Sequence, residues 1–387
     1  MNRTAIRTHG FAESVIRGMS RLAARHGAIN LAQGFPDFPM PAVMKDAACQ
    51  AIHGDVNQYA ITWGAKKLRD AIAAKYARRY GMTIDAEREI TVTCGATEAA
   101  ASVFLALLNP GDEVIIFEPF YENYGPDAIL SDAQPVFVPL TPPDWTFDAD
   151  ALRRAITART RAIVLNSPHN PTGHVFSRAE LGEIAALCIE HDLFVITDDP
   201  YEYIVFRGEH IPIATLPGMA DRTVTISSLS KTFTCTGWRL GYAIAAPDRT
   251  DAIRKVHDFL TVGAPAPLQD AAAVGYALDD AYYRELAAGY DGRRKFLGTA
   301  LRAAGFRFAE PDGAYFFMAD FSALSDKDDV TFANWLTSDV GIATVPGSSF
   351  YRPGAADGKR YVRFAFCKKQ ETLMAAVERL HRGFPSR

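Results

Sequence analysis

The feature that most constrains this fold is an alternation in the middle of the chain, where short apolar runs are separated by helical patterns. The runs are Ile90–Thr93, Glu113–Phe117, Pro135–Pro139, Ala162–Asn166, Phe194–Thr197, Thr223–Ser227 and Leu240–Ala245. Helical periodicity fills Thr97–Leu108, Asp148–Ala158 and Arg178–His191 between them. Strands alternating with helices predict an α/β fold, here a mostly parallel seven-stranded sheet flanked by helices. In open sheets of this kind ligands bind beyond the carboxyl ends of the strands. The residues that follow each run are therefore where a site is sought.

Those ends carry a coherent set of groups. Ile90–Thr93 is followed by Gly95, which lets the backbone turn closely, and by Ala96 and Thr97, whose amides face an anion at a helix N-terminus. Glu113–Phe117 leads to an aromatic rim at Phe120 and Tyr121. The run ending at Asn166 opens a proline-fixed turn that presents the carboxamides of Asn166 and Asn170. Asp198 and Tyr201 follow the fifth run; Ser228, Lys231 and Arg239 follow the sixth. Taken singly, each has an ordinary explanation: Asn170 as a turn former, Asp198 as a helix cap, Tyr121 as a packed aromatic, Lys231 as a surface lysine. On successive strand ends they describe one pocket with a phosphate seat, an aromatic wall, a carboxylate, a phenol, a carboxamide and an amine. That inventory fits pyridoxal 5′-phosphate (PLP). Burial would lower the pKa of Lys231 and make its amine a nucleophile, while Ser228 and Arg239 hold the phosphate.

At 387 residues the chain is too long for one small core, which predicts two domains. Residues 46–285 carry the alternating pattern and form the predicted large domain. The stretch Leu31–Pro41, rich in proline and glycine, reads as part of an extended arm over residues 1–45. With residues 286–387, the arm forms a predicted smaller α+β domain. The net charge of −4 gives no reason to expect nucleic acid or an anionic membrane as a partner. No apolar stretch reaches the roughly 20 residues that span a bilayer, and the N-terminus lacks a secretory segment. Cys49, Cys94, Cys188, Cys235 and Cys367 are odd in number and lack paired spacing. Free thiols, a cytoplasmic setting and no metal site are expected.

Over nearly its whole length the chain resembles the class I aminotransferases of PLP fold type I. The resemblance rests on Ala32-Gln-Gly-Phe-Pro-Asp-Phe-Pro, Asn57-Gln-Tyr-Ala, Asn166-Ser-Pro-His-Asn-Pro-Thr-Gly, Ser228-Leu-Ser-Lys-Thr-Phe with Thr236-Gly-Trp-Arg-Leu-Gly, and Tyr361-Val-Arg-Phe-Ala-Phe. It is most similar to the branch of kynurenine aminotransferase, glutamine transaminase K and bacterial methionine aminotransferase. The resemblance implies that Lys231 holds PLP as an aldimine and shuttles the substrate proton, and that Asp198 pairs with the pyridine nitrogen. It implies that Asn170 and Tyr201 bond the ring's phenolic oxygen and that Tyr121 stacks on the ring. Gly95, Ala96, Thr97, Ser228 and Arg239 would bind the phosphate, joined by Tyr59 from the partner of a homodimer with shared sites. Arg363 would clamp the substrate carboxylate as a fork, with contacts from Asn166 and Gly34.

The expected reaction moves an amino group from an uncharged apolar or aromatic amino acid to a 2-oxo acid. Methionine, glutamine, phenylalanine and tyrosine are the donor types. Thr261–Pro267 contains no basic residue to meet a distal carboxylate, and Phe35, Phe38, Tyr59 and Tyr121 offer apolar walls. Two departures stand out. Asp198-Asp-Pro-Tyr has Pro200 where the branch usually has valine, and Thr97 and Glu98 replace an aromatic and a glycine of the kynurenine-type enzymes. The second favours the methionine-type members. A carbon–sulfur lyase or an oxidase on the same fold is the alternative, and a non-enzymatic regulator lacks a helix-turn-helix region to accompany it.

Overall fold

A computed structural model of the protein describes residues 4–384. The outermost ends of the predicted arm and C-terminal segment, residues 1–3 and 385–387, lie outside the described residues. In chain order the strands are β1 (Ile29–Asn30), β2 (Ile90–Thr93), β3 (Glu113–Glu118), β4 (Gln134–Thr141), β5 (Thr146–Phe147), β6 (Thr160–Asn166), β7 (Phe194–Asp198), β8 (Thr223–Ser228), β9 (Gly241–Ile244), β10 (Phe316–Asp320), β11 (Ile342–Ala343), β12 (Val345–Pro346) and β13 (Tyr361–Ala365).

The main sheet has the order β2-β9-β8-β7-β6-β3-β4-β5. Its seven longer strands are the seven apolar runs; the eighth, β5, is a two-residue return that pairs antiparallel with β4. Strands β4, β3, β6, β7 and β8 run parallel, and β9 lies antiparallel to both β2 and β8. Strands covered on both faces read as continuous Val/Ile/Leu runs, which is why these were visible in sequence. The period of two sorts their side chains. Ile115, Ile163, Leu165 and Val195 face the helix Arg178–Glu190, while Val114, Ile116, Val164 and Ile196 face the helix Ala96–Leu107.

The chain ends pair with each other. β1 lies parallel to β11, and β13 is the centre of an antiparallel sheet between β10 and β12. The amide of Ala365 donates to the carbonyl of Leu31 at 2.8 Å, so the arm is stitched to β13. Within the first 45 residues the structure also has a regular helix, Val15–His26, that the Pro/Gly texture of the arm did not announce. A single 24-residue helix, Asp280–Ala303, runs through the predicted junction at 285/286. Among the described residues, no helix is long and apolar enough to cross a membrane.

Candidate active site

Parallel pairing brings the carboxyl ends of β3, β6, β7 and β8 to one edge, where Asn166 and Asp198 are register partners. They open onto a cleft with an empty volume of about 980 Å³. Its far side is formed by Ser14, Ile16 and Arg17 at the start of the helix Val15–His26, by Phe316 on β10 and by Arg363 on β13. All the predicted site residues line this cleft except Gly95, which packs beneath Arg239, and Tyr59. Tyr59 is 84% exposed and does not reach the cleft of its own chain.

One end of the cleft is built for an anion. Gly95, at φ 84°, turns β2 into the helix Ala96–Leu107 with no side-chain cap. The first amides of that helix therefore lack intrahelical acceptors. A Cβ on Gly95 would stand only 2.8 Å from the Arg239 guanidinium carbon, so only glycine leaves the arginine room. Arg239 is tethered by a 3.0 Å bond to the Thr236 carbonyl. Ala96, Thr97, Ser228, Ser230 and Arg239 all line this end.

The floor holds an acid and an amine. Asp198 Oδ2 accepts from the Tyr124 hydroxyl at 2.7 Å, while Oδ1 is buried with no partner. Burial pushes the Asp198 carboxyl up to about 6, against the Tyr124 bond and the Lys231 charge. Lys231 Nζ lies 3.2 Å from the Gly34 carbonyl, and its pKa is lowered to about 8. Burial is the main cause; the charges of Arg239 and Arg363 add to it, and Cys367 and Asp198 oppose it. Tyr201 packs edge-on against Tyr315 and Phe316, and burial raises its pKa and that of Tyr121.

Opposite the floor, Arg363 is 1% exposed, pressed against the rings of Phe316 and Phe350 at 4.2 and 4.7 Å. One terminal nitrogen donates to Asn170 Oδ1 at 2.6 Å and the other to the Ala32 carbonyl at 3.0 Å. Nε has no partner, and no carboxylate among the described residues pairs with this cation. Asn166 is turned inward: Nδ2 donates to the Asp198 carbonyl at 2.5 Å and Oδ1 accepts the Asn170 amide at 2.7 Å. It braces two strand ends.

Sequence reading missed several lining groups. Tyr124 had a signal, a second tyrosine three residues after Tyr121. Ser14, Arg17 and Glu122 had none without the helix Val15–His26. The Ser14 hydroxyl caps that helix and bonds Glu122 across the mouth at 2.5 Å. The expected apolar wall also differs. Phe38 packs on Tyr290 and Arg293, and Phe35 lies against Lys368, so neither lines the cleft; Ile16, Tyr121 and Phe316 do.

PLP needs an anion seat, an acid for its ring nitrogen and an unprotonated amine. The orphaned Asp198 oxygen, the uncapped helix end under Arg239 and the lowered Lys231 pKa meet those needs, so the residues present fit the group.

Known proteins match this chain in sequence and fold. The family model for class I and II aminotransferases matches residues 26–380. A probable N-succinyldiaminopimelate aminotransferase of Mycobacterium tuberculosis is 43% identical over 97% of this chain and 98% of its own. The methionine aminotransferase of Escherichia coli is 39% identical over 95% of each chain. The solved structure of the N-succinyldiaminopimelate aminotransferase from Mycobacterium tuberculosis superposes with a TM-score of 0.95 at 44% identity, covering 97% of this chain and 99% of that one. With that fold and that cleft, the chain belongs to the class I and II aminotransferases, PLP-dependent enzymes of fold type I.

Proposed function

We propose that the enzyme transfers the amino group of an uncharged apolar or aromatic 2-amino acid, of the methionine, glutamine, phenylalanine or tyrosine type, to a 2-oxo acid. The observation that carries this reading is Arg363, a fully buried guanidinium with an unused Nε–H and no ion-paired carboxylate among the described residues. An unpaired buried cation is costly, and a substrate carboxylate relieves it with a charge-assisted fork. When bound, PLP supplies a ring that accepts the electron pair left at the substrate Cα.

The chain's own groups do the rest. Asp198 would offer Oδ1 to the pyridine N–H and keep that nitrogen protonated. Asn170 and Tyr201 would donate to the phenolic oxygen, and Tyr121 would pack on the ring. Ala96, Thr97, Ser228 and Arg239 would hold the phosphate, with Gly95 giving Arg239 its place. Lys231, part of whose population is neutral near pH 8, would take the proton from Cα and return it at the cofactor carbon on the other side of the amino nitrogen. Asn166 fixes the turn that presents Asn170, and Gly34 permits the arm to pass close to Phe316 beside the substrate carboxylate. The described parts of residues 1–45 and 286–387 form the smaller domain, and the enzyme works in the cytoplasm as a homodimer whose partner supplies Tyr59 to the phosphate.

Arg17, at the cleft mouth, supports a second reading: a donor with a distal carboxylate, such as the succinylated diamino acid named for the mycobacterial relative. Single-turnover titration of the holoenzyme with each donor, in the absence of any oxo acid, separates the readings. Stoichiometric release of the methionine, glutamine or aromatic oxo acid, with loss of the cofactor's visible band, is expected. Preference for the succinylated donor, abolished in Arg17→Gln, replaces the donor class. Repeated turnover without an acceptor replaces transamination by elimination or oxidation.

A further inference from the structure

Glu98 occupies the first turn of the helix Ala96–Leu107, beside the two residues whose amides open onto the cleft. A carboxylate at that position would occupy the positive helix terminus on its own account and repel a phosphate arriving there. Its surroundings remove the conflict. His257, wholly buried on the helix Pro247–Thr261, has Nδ1 3.0 and 3.1 Å from the two Glu98 oxygens and Nε2 2.9 Å from the Thr62 carbonyl. Nε2 thus faces a carbonyl and Nδ1 the Glu98 carboxylate, with the Thr261 hydroxyl also 3.2 Å from Nδ1; a hydrogen on each ring nitrogen, the imidazolium form, serves both the carbonyl and the carboxylate. Burial alone would lower the His257 pKa; the hydrogen bond and charge of Glu98 outweigh it and raise it. The Cys94 amide at 3.0 Å and the Ser102 hydroxyl at 2.5 Å take up the rest of the Glu98 carboxylate. None of these partners lines the cleft. The acid is held, neutralised and turned away.

The same histidine reaches a second element. Thr62 lies in the loop between the helices Ala42–His53 and Lys66–Tyr80, which also carries Tyr59, and that loop is further fixed by the Val92 amide on the Trp63 carbonyl and the Ala65 amide on Gln269. We propose that His257 and Glu98 are a positioning pair for the cofactor phosphate: the imidazolium cancels a carboxylate at the phosphate's helix terminus and pins the loop that carries Tyr59. This inference rests on the phosphate seat of the proposed function, and the test is arranged so that the two can fail separately.

Affinities of the apoenzyme for PLP and for pyridoxal, which lacks the phosphate, are measured side by side. His257→Gln leaves the Glu98 charge uncompensated and is expected to weaken PLP about tenfold while pyridoxal changes less than about twofold. The double variant Glu98→Gln/His257→Gln removes both charges and should recover most of that loss. Glu98→Gln alone keeps the shape of the acid and should hold PLP within about twofold of wild type or better; it decides the matter even where His257→Gln does not fold. Equal weakening of PLP and pyridoxal, a double variant worse than His257→Gln, or a PLP-specific loss in Glu98→Gln each overturns the pair's role. Arg239→Met reads the seat itself: if it weakens both ligands equally, the seat reading fails, whatever the histidine variants show.

Discussion

Arg363 and Asp198 show how a single side chain can be costly to the empty fold and useful to the reaction. Arg363 carries its charge into a wall of aromatic rings and finds only a carboxamide and a carbonyl there. Lysine at that position keeps the charge but loses the planar fork. For Arg363→Lys, loss of one charge-assisted bond, about 1.5–3 kcal/mol, predicts a drop in kcat/KM of roughly ten- to a hundredfold, carried mostly by KM. Steady-state kinetics checks this, and unchanged KM would contradict the clamp. Asp198 makes the complementary case. Its folded pKa is raised to about 6, so the stability it contributes is present below its ordinary value and lost as pH rises through 6. The apoprotein of Asp198→Asn should therefore melt higher than wild-type apoprotein at neutral pH while losing transaminase activity. The gap should close as pH falls from about 6 to about 4. Melting curves across that window test it; a gap that widens in acid has the wrong sign.

At the scale of elements, what was legible followed from burial. The parallel strands are covered on both faces, so they show as unbroken apolar runs, and the residues that follow β3, β6, β7 and β8 line the cleft. Two-residue strands such as β1, β11 and β12 have no period to detect. The helix Val15–His26 did carry a signal, Ile16, Met19 and Ala23 at helical spacing, which the neighbouring proline-rich stretch obscured. That omission hid Ser14 and Arg17 from the site. The arm after this helix is held by Lys368, whose Nζ donates to the carbonyls of Gln33 at 3.1 Å and Phe35 at 2.8 Å. The ammonium also sits 4.4 Å over the Phe35 ring. Lys368→Met removes these ties while keeping the aliphatic stem. Faster amide exchange in residues 31–38 is expected, with a several-fold loss of kcat/KM, because Gly34 sits in that arm against Lys231. Unchanged exchange there would mean that the arm's other ties, among them Ala365 to Leu31, Arg363 to Ala32 and Tyr315 to Gly34, hold it without Lys368.

For the whole molecule the decisive surface is the one its own chain leaves open. Phe259 is 93% exposed, and Leu260, Val262 and Ile61 are each nearly half exposed. Thr62 bonds Asp258 at 3.4 Å, so the Tyr59 loop and the end of the helix Pro247–Thr261 lie side by side. Val262, a β-branched residue, is held there at φ 64°. Apolar side chains gathered on one face mark a protein contact, and the proposed homodimer places that face against its copy. Tyr59 then leaves one chain and enters the cleft of the other. Two inactive variants make this testable. Tyr59→Ala keeps Lys231 but lacks the phosphate contact; Lys231→Ala keeps Tyr59 but lacks the amine. Mixed and allowed to exchange subunits, half the dimers are hybrids, each with one site that draws Lys231 from one chain and Tyr59 from the other. About a quarter of wild-type activity should return if sites are shared in this way and re-pairing is random. A chain that supplied its own Tyr59 would regain nothing on mixing, because every cleft would still lack one of the two residues. Phe259→Asp in both partners should prevent the exchange and abolish the recovery, which ties the returning activity to this apolar face.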